Sequence, residues 1–62
     1  MFTVITPRGA GRVSSLTAAV RAIGLAFEAK VVDADGVLRA RRSRGQTTVF
    51  DRDGVRPLIR LA

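Results

Sequence analysis

Two copies of the pattern D-x-D-G-V, at residues 33–37 and 51–55, constrain the fold of this chain more than any other feature. In such a unit the aspartate side chain accepts hydrogen bonds from nearby backbone amides, and glycine adopts the positive φ angle that follows a type I turn. Each unit therefore predicts a hairpin connection. The connected strands are expected at about residues 25–32, 37–43 and 46–51.

The N-terminal segment predicts a further hairpin. A β-branched run at residues 2–6 favours a strand, and it stops at a proline. Residues 7–11 contain two glycines and predict a tight turn, after which Arg12 and Val13 are expected to pair back as a short second strand.

A helix is predicted next, because Ser14 or Ser15 can cap the first free amides and apolar residues follow at a spacing near 3.6. Gly24 is interpreted as the left-handed residue just beyond the helix, which then ends at Ile23. From Leu25 onward, apolar residues alternate with a period of two, which indicates a strand. The alternation places Leu25 and Phe27 on the buried side.

The elements together predict one small α+β domain over residues 1–62, with the order β(β)αβββ. One helix packs on one face of an antiparallel sheet, and the other face is left open. The segment at residues 55–61 is weakened by Pro57, which cannot donate to a central ladder, so an edge strand or a coil is expected there.

Cysteine and histidine are both absent from the sequence. Their absence argues against thiolate nucleophiles, imidazole bases and the usual metal ligands, so we expect no enzyme, no catalytic residue, no cofactor and no metal. Asp33, Asp35 and Gly36 resemble the start of an EF-hand loop, but Val37 and Leu38 follow where further oxygen ligands are needed. Turn formation accounts for both aspartate pairs.

The lack of cysteine also bears on the compartment, since small secreted domains usually depend on disulfides. No signal peptide is predicted at the N-terminus, and no apolar stretch reaches the roughly 20 residues of a membrane helix. We expect a cytoplasmic protein that does not contact a membrane.

The charge balance predicts an acidic partner. Lys and Arg number 11 against 5 Asp and Glu, a formal net charge of +6, and Lys30 is the only lysine. Arginine binds phosphates and carboxylates through two parallel hydrogen bonds. A GC-rich genome would also favour arginine over lysine, but it would not explain the net charge.

The densest basic feature is the set Arg39, Arg41, Arg42 and Arg44, which lies within six residues on a predicted strand and its loop. Lys30, on the neighbouring predicted strand, would add to the same open face, and Glu28 would subtract from it. The C-terminal arginines either extend this basic surface or pair with Asp51 and Asp53; they are Arg52, Arg56 and Arg60. Guanidinium groups on a ribbon can follow a phosphate backbone. The alternative is a solvated strand whose charges only prevent sheet-to-sheet aggregation.

Arg8 and Arg12 flank the sequence Gly9-Ala10-Gly11, where backbone amides and two cations can hold a phosphate. The nucleotide-binding glycine motifs are absent, however, so the sequence favours a plain hairpin over a phosphate site.

Three functions remain open. The first is a non-enzymatic protein that binds nucleic acid, most readily the backbone of duplex DNA, because Tyr and Trp are absent and stacking on bases is poorly supported. The second is a small regulator or inhibitor that docks on an acidic protein surface of a nucleic-acid-handling complex. In size and element order alone, the layout resembles small phage-encoded regulators and anti-CRISPR inhibitors. The third is a homo-oligomer, most simply a homodimer, in which the open sheet face or an edge strand is buried by symmetry; Ala26 and Val32 on the predicted outer face favour it.

Overall fold

The computed structural model describes residues 1–61 and confirms the α+β class, with one helix packed on one antiparallel sheet. The strands follow the order β2-β1-β3-β4-β5-β6. The elements are β1 (Phe2–Thr6), β2 (Gly9–Val13), α1 (Leu16–Ile23), β3 (Ala29–Val32), β4 (Leu38–Ser43), β5 (Gln46–Phe50) and β6 (Pro57–Leu61).

Four of the five strand pairs are hairpins, and α1 connects β2 to β3, which pairs with β1. The register sets Val4 opposite both Gly11 and Val31, Val31 opposite Ala40, and Ala40 opposite Val49. Directly opposed residues point to the same side of a sheet. This row therefore forms the floor on which α1 packs.

The core between α1 and the sheet is thin. Its buried apolar residues are Val4, Ala19, Ile23, Ala29, Val31 and Ala40. Half of them are alanines, which contribute little apolar area to burial. Within the described residues, α1 contacts β1 to β5 but not β6. Strand β6 therefore extends the sheet beyond the part that α1 covers.

The helix begins as predicted but ends differently. Ser15 Oγ accepts a hydrogen bond from the Ala18 amide at 3.1 Å, which caps the first turn. Helix α1 ends at Ile23, as predicted, yet Gly24 has a φ of −61° and is right-handed, so the predicted left-handed end is wrong. The chain instead continues in a tighter, 3₁₀-type turn, because the amides of residues 25 and 26 donate to the carbonyls three residues earlier.

The predicted strand at residues 25–32 is wrong in its first half, since β3 begins only at Ala29. Leu25 is 93% exposed and Phe27 is 68% exposed, whereas Ala26 packs against the core instead of facing outward. Strand β1 ends at Thr6, so residues before Ala29 meet no strand on that side. The carbonyls of residues 26 and 27 instead accept hydrogen bonds from Arg42 and Gly45.

The two ends of the sheet also differ from expectation. Residues 9–11 belong to β2, so the turn predicted over residues 7–11 is wrong; only residues 7 and 8 form it. The predicted second strand is confirmed and is longer than expected.

At the opposite edge of the sheet, Pro57 begins β6, which confirms an edge strand where an edge strand or a coil was predicted. The register of β5 and β6 shifts between Val49 and Phe50.

Both D-x-D-G-V units form the predicted turns. Gly36 has a φ of 80° and Gly54 a φ of 70°, and each first aspartate accepts two backbone amide bonds through Oδ1. The pKa of Asp51 lies below its ordinary value, chiefly because the Val55 amide stabilises the carboxylate, with further amides adding to this and desolvation opposing it.

Helix α1 has eight residues, and none of the helical structure within residues 1–61 is long and apolar enough to cross a membrane.

Candidate functional site

The face of the sheet opposite α1, here called the open face, carries a row of cations. The register sets Ile5 opposite Lys30, Lys30 opposite Arg41, Arg41 opposite Thr48, and Thr48 opposite Arg60. These residues alternate with the buried residues of the helix side and therefore point away from α1. The exposed residues Lys30, Arg41 and Arg60 are called the cationic row below.

The cationic row brings like charges close together. Neighbouring strands lie about 4.8 Å apart, so Lys30 and Arg41 are adjacent and Arg60 lies two strands further on. Like charges on neighbouring strands destabilise a sheet unless counterions or a bound anion offset them. A shallow depression lies beside Lys30 and Arg41, bounded by Pro7 and Glu28. An extended anion can therefore contact several cations at once.

Acidic residues are kept off the sheet. No strand of the described chain contains an aspartate or a glutamate. All the carboxylate side chains lie in connections, namely Glu28, Asp33, Asp35, Asp51 and Asp53. The strands therefore carry only positive charge, and Glu28 is the carboxylate that borders the open face beside Lys30 and Arg41.

Charge also separates along the strand direction. Strands β3 and β5 run in the same direction, so the two D-x-D-G-V turns lie at one end of the sheet, the Asp-turn end. The turns at residues 7–8 and 44–45 lie at the other end, the Arg-turn end. The cations nearest the Asp-turn end are Arg12, Arg39, Arg52 and Arg56. The cations of the remaining half are Arg8, Arg21, Lys30, Arg41, Arg42, Arg44 and Arg60, with Glu28 as its one acidic side chain.

The net charge of +6 therefore resides in the Arg-turn half, because the four arginines at the Asp-turn end balance the four aspartates there. Such asymmetry orients an approaching polyanion toward one half of the molecule.

Arg42 lies on the helix side of the sheet, opposite Ala29, and so apart from the cationic row. Its Nε donates to the Ala26 carbonyl at 2.6 Å and its Nη1 donates to Thr47 Oγ1 at 2.6 Å. Thr47 is buried. The side chain thus holds the segment that follows α1, where no strand is available to bond that carbonyl.

Arg39 is only 20% exposed, because a bulge redirects this part of β4. Val31 pairs with Ala40, but Val32 pairs with Leu38, and Leu38 lies outside the cluster packed under α1. The Arg39 guanidinium lies 3.9 Å from Asp33 Oδ2 and 5.7 Å from the Phe2 ring centre. These contacts hold Arg39 away from the cationic row.

Arg44 lies at the exposed tip of the β4-β5 turn, with a φ of 51°, followed by Gly45 with a φ of 78°. Two consecutive positive φ angles define the type I′ turn that suits a tight hairpin. The Gly45 amide donates to the Phe27 carbonyl at 3.3 Å. Arg44 and the exposed Phe27 ring are therefore on neighbouring segments of the Arg-turn end.

The segment between Arg8 and Arg12 forms the plain hairpin that the sequence favoured over a phosphate-binding loop, because Gly9, Ala10 and Gly11 pair with β1. Arg8 is exposed in the two-residue turn, where its amide donates to Thr6 Oγ1 at 3.1 Å. Arg12 is exposed opposite Thr3 on the open face, toward the Asp-turn end.

Arg60, like Arg52 and Arg56, was expected either to extend the basic surface or to pair with Asp51 and Asp53. Its segment follows Pro57 and reads as edge or coil, so only the pairing of β6 with β5 brings Arg60 into line with Arg41. The signal available in the sequence is the order Ile59-Arg60-Leu61, since in a strand Arg60 points to the face opposite its two apolar neighbours.

Within residues 1–61, His, Cys, Asp and Glu side chains nowhere gather in a group of three that could hold a metal ion. No family model, curated protein or solved structure matches this chain, so its interpretation depends on the geometry described above.

Proposed function

We propose that this chain is a non-enzymatic nucleic-acid-binding domain that contacts the phosphate backbone of duplex DNA through the open face and the Arg-turn end. The observation that carries the proposal is the cationic row on strands that contain no carboxylate. A polyanion removes the mutual repulsion of these side chains and releases its own counterions on binding.

Contacts to the backbone fit this surface better than contacts to bases. Phe2 packs against the core and Phe50 is half-buried, which leaves Phe27 as the exposed aromatic side chain. Base stacking on an open sheet uses several aromatic platforms. Binding is therefore expected to depend weakly on base sequence and strongly on salt.

The salt dependence follows from the number of phosphates contacted. If the cationic row and one of the turn arginines each neutralise one phosphate, log K falls with log salt at a slope of about −3.6. Affinity then decreases about 150-fold between roughly 50 and 200 mM salt.

The test is fluorescence anisotropy of a labelled duplex of about 20 base pairs at those two salt concentrations. The triple variant Lys30→Ala, Arg41→Ala, Arg60→Ala removes the cationic row and is expected to bind at least about tenfold more weakly, with a shallower slope. The matched control Arg21→Ala, Arg52→Ala, Arg56→Ala removes three exposed charges outside the open face, one on α1 and two in the connection between β5 and β6. It should change affinity far less, since charges beyond about 10 Å are screened.

Equal losses in the two triple variants would show that net charge alone governs binding and would contradict the assignment to the cationic row. An absence of binding at low salt would overturn the nucleic-acid proposal itself.

The second candidate function is a protein-binding regulator, of the kind whose layout this chain resembles. The exposed Leu25 and Phe27 favour it, because they border a groove that also includes Pro7, Ala22 and Arg8. A partner protein with an acidic surface and an exposed apolar side chain would complement this apolar groove and the arginines beside it. In that case the double variant Leu25→Ser, Phe27→Ser would abolish complex formation, whereas loss of the cationic row would mainly slow association.

A further inference from the structure

Strand β6 is an unprotected edge of the sheet. It pairs with β5 on one side, and within the described residues no strand pairs with the other. Leu58 is 60% exposed, Ile59 54% and Leu61 44%. A free strand edge with exposed apolar side chains is a template for pairing with another strand.

The apolar surface of β6 continues onto the helix side of the sheet. Ile59 lies opposite Val49 and Leu61 lies opposite Thr47, both of which point toward the layer that contains α1. Helix α1 does not reach β6. Ile59 and Leu61 therefore line a strip beside the helix that no part of the described chain covers.

The opposite edge of the sheet is built differently. Strand β2 reads Gly9-Ala10-Gly11-Arg12-Val13, and its only apolar side chain larger than alanine is Val13, which packs against the core. Glycines weaken an edge strand as a pairing template, and an exposed arginine adds charge to it. The exposed apolar surface is thus confined to one of the two edges.

We propose that β6 pairs antiparallel with β6 of a second copy of this chain, which joins the two sheets across a twofold axis. An antiparallel pair of identical strands is self-complementary, so the apolar residues of one copy cover those of the other. The thin, alanine-rich core gives the reason for a second copy, since a domain of this size gains stability from association.

The interface is small. A standard interface buries about 800 Å² per partner, which is about a fifth of the 4415 Å² surface of this chain, and one edge strand supplies less than that. We therefore expect a weak dimer with a Kd on the order of 100 μM. Two chains of charge +6 repel each other, so salt should strengthen the dimer.

The dimer would join the two cationic rows into one positive surface with twofold symmetry. Dimerisation through β6 does not require nucleic-acid binding, and salt affects dimerisation and DNA binding in opposite directions. Raising salt favours the dimer and weakens binding to DNA, so failure of one proposal is distinguishable from failure of the other.

The experiment is sedimentation equilibrium without DNA, from about 10 μM to 1 mM protein, spanning the expected Kd. The mass is expected to rise with concentration from 6.6 kDa toward twice that value. Ile59→Lys should remain monomeric at all concentrations. Leu25→Lys, which makes the same kind of change at an exposed leucine away from β6, should dimerise like the unmodified chain.

Cross-linking keeps the proposal falsifiable if Ile59→Lys fails to fold. The chain has no cysteine, so a single Ile59→Cys is the only thiol and is expected to form a disulfide dimer on mild oxidation, while Leu25→Cys stays largely monomeric. A monomeric mass at the highest concentration, or equal cross-linking at the two positions, would overturn the inference.

Discussion

The two D-x-D-G-V turns have the same local structure and different surroundings. In both, the first aspartate accepts two backbone amide bonds and the glycine is left-handed. A Cβ atom added at Gly36 would meet nothing within 4 Å, whereas one added at Gly54 would lie 2.8 Å from the Leu38 carbonyl oxygen and 2.9 Å from Val37 Cγ1. The second turn packs on the first. The local sequence pattern therefore determines the backbone conformation of each turn. The residues packed around the turn determine whether a larger side chain is tolerated at its glycine.

The largest expected effect is that of Gly54→Ala. It adds a clash with the backbone at Leu38 to the strain of a positive φ, and we expect a loss of about 3 kcal/mol in the free energy of unfolding. Urea denaturation followed by circular dichroism measures it. A loss of less than about 1 kcal/mol would mean that the two turns do not pack as described.

Asp33→Ala is expected to cost about 1–2 kcal/mol, because it removes an acceptor of two amide hydrogen bonds. It also frees Arg39, whose guanidinium lies 3.9 Å from Asp33. A double-mutant cycle with Arg39→Ala should give a coupling of about 0–1 kcal/mol. A larger coupling would assign the stability of this turn to the ion pair instead of the amide bonds.

Gly36→Ala is the matched control for Gly54→Ala. Its site is open, so only the strain of the positive φ remains, and the expected cost is about 1 kcal/mol. The same urea measurement applies. Equal costs at Gly36 and Gly54 would remove the difference between the turns.

The smallest expected effect is the pH dependence that Asp51 contributes. Its pKa is lowered in the folded chain, so its carboxylate stabilises the fold above its unfolded pKa of about 4, and this contribution is lost as pH falls through the folded pKa. Thermal unfolding between about pH 2 and 6 should show a weaker acid dependence for Asp51→Asn than for the unmodified chain. Superimposable pH profiles would contradict the assignment.

Most of the fold could be predicted from local patterns. The bounds of β1, the end of α1 at Ile23 and the two aspartate turns follow from β-branched runs, helical spacing and turn chemistry. The segment at residues 25–28 could not be predicted. Its alternation resembles a strand, but β1 is too short to pair with it, and Arg42 and Gly45 bond its carbonyls from distant positions.

The candidate site divides in the same way. Alternation along β3 and β4 placed Lys30 and Arg41 on the open face, because side-chain direction in a strand has a period of two. Arg39, Arg42 and Arg60 required the tertiary structure. A bulge in β4 turns Arg39 away from the open face, and Arg42 donates to the Ala26 carbonyl after α1. The pairing of β6 with β5 aligns Arg60 with Arg41.

The sequence by itself therefore determined the elements, the turns and the sign of the charge, since each depends on residues close together in the chain. The tertiary structure decided which cations share a surface and which apolar residues stay uncovered. Those outcomes depend on the strand register and on the reach of one short helix, which leaves β6 exposed.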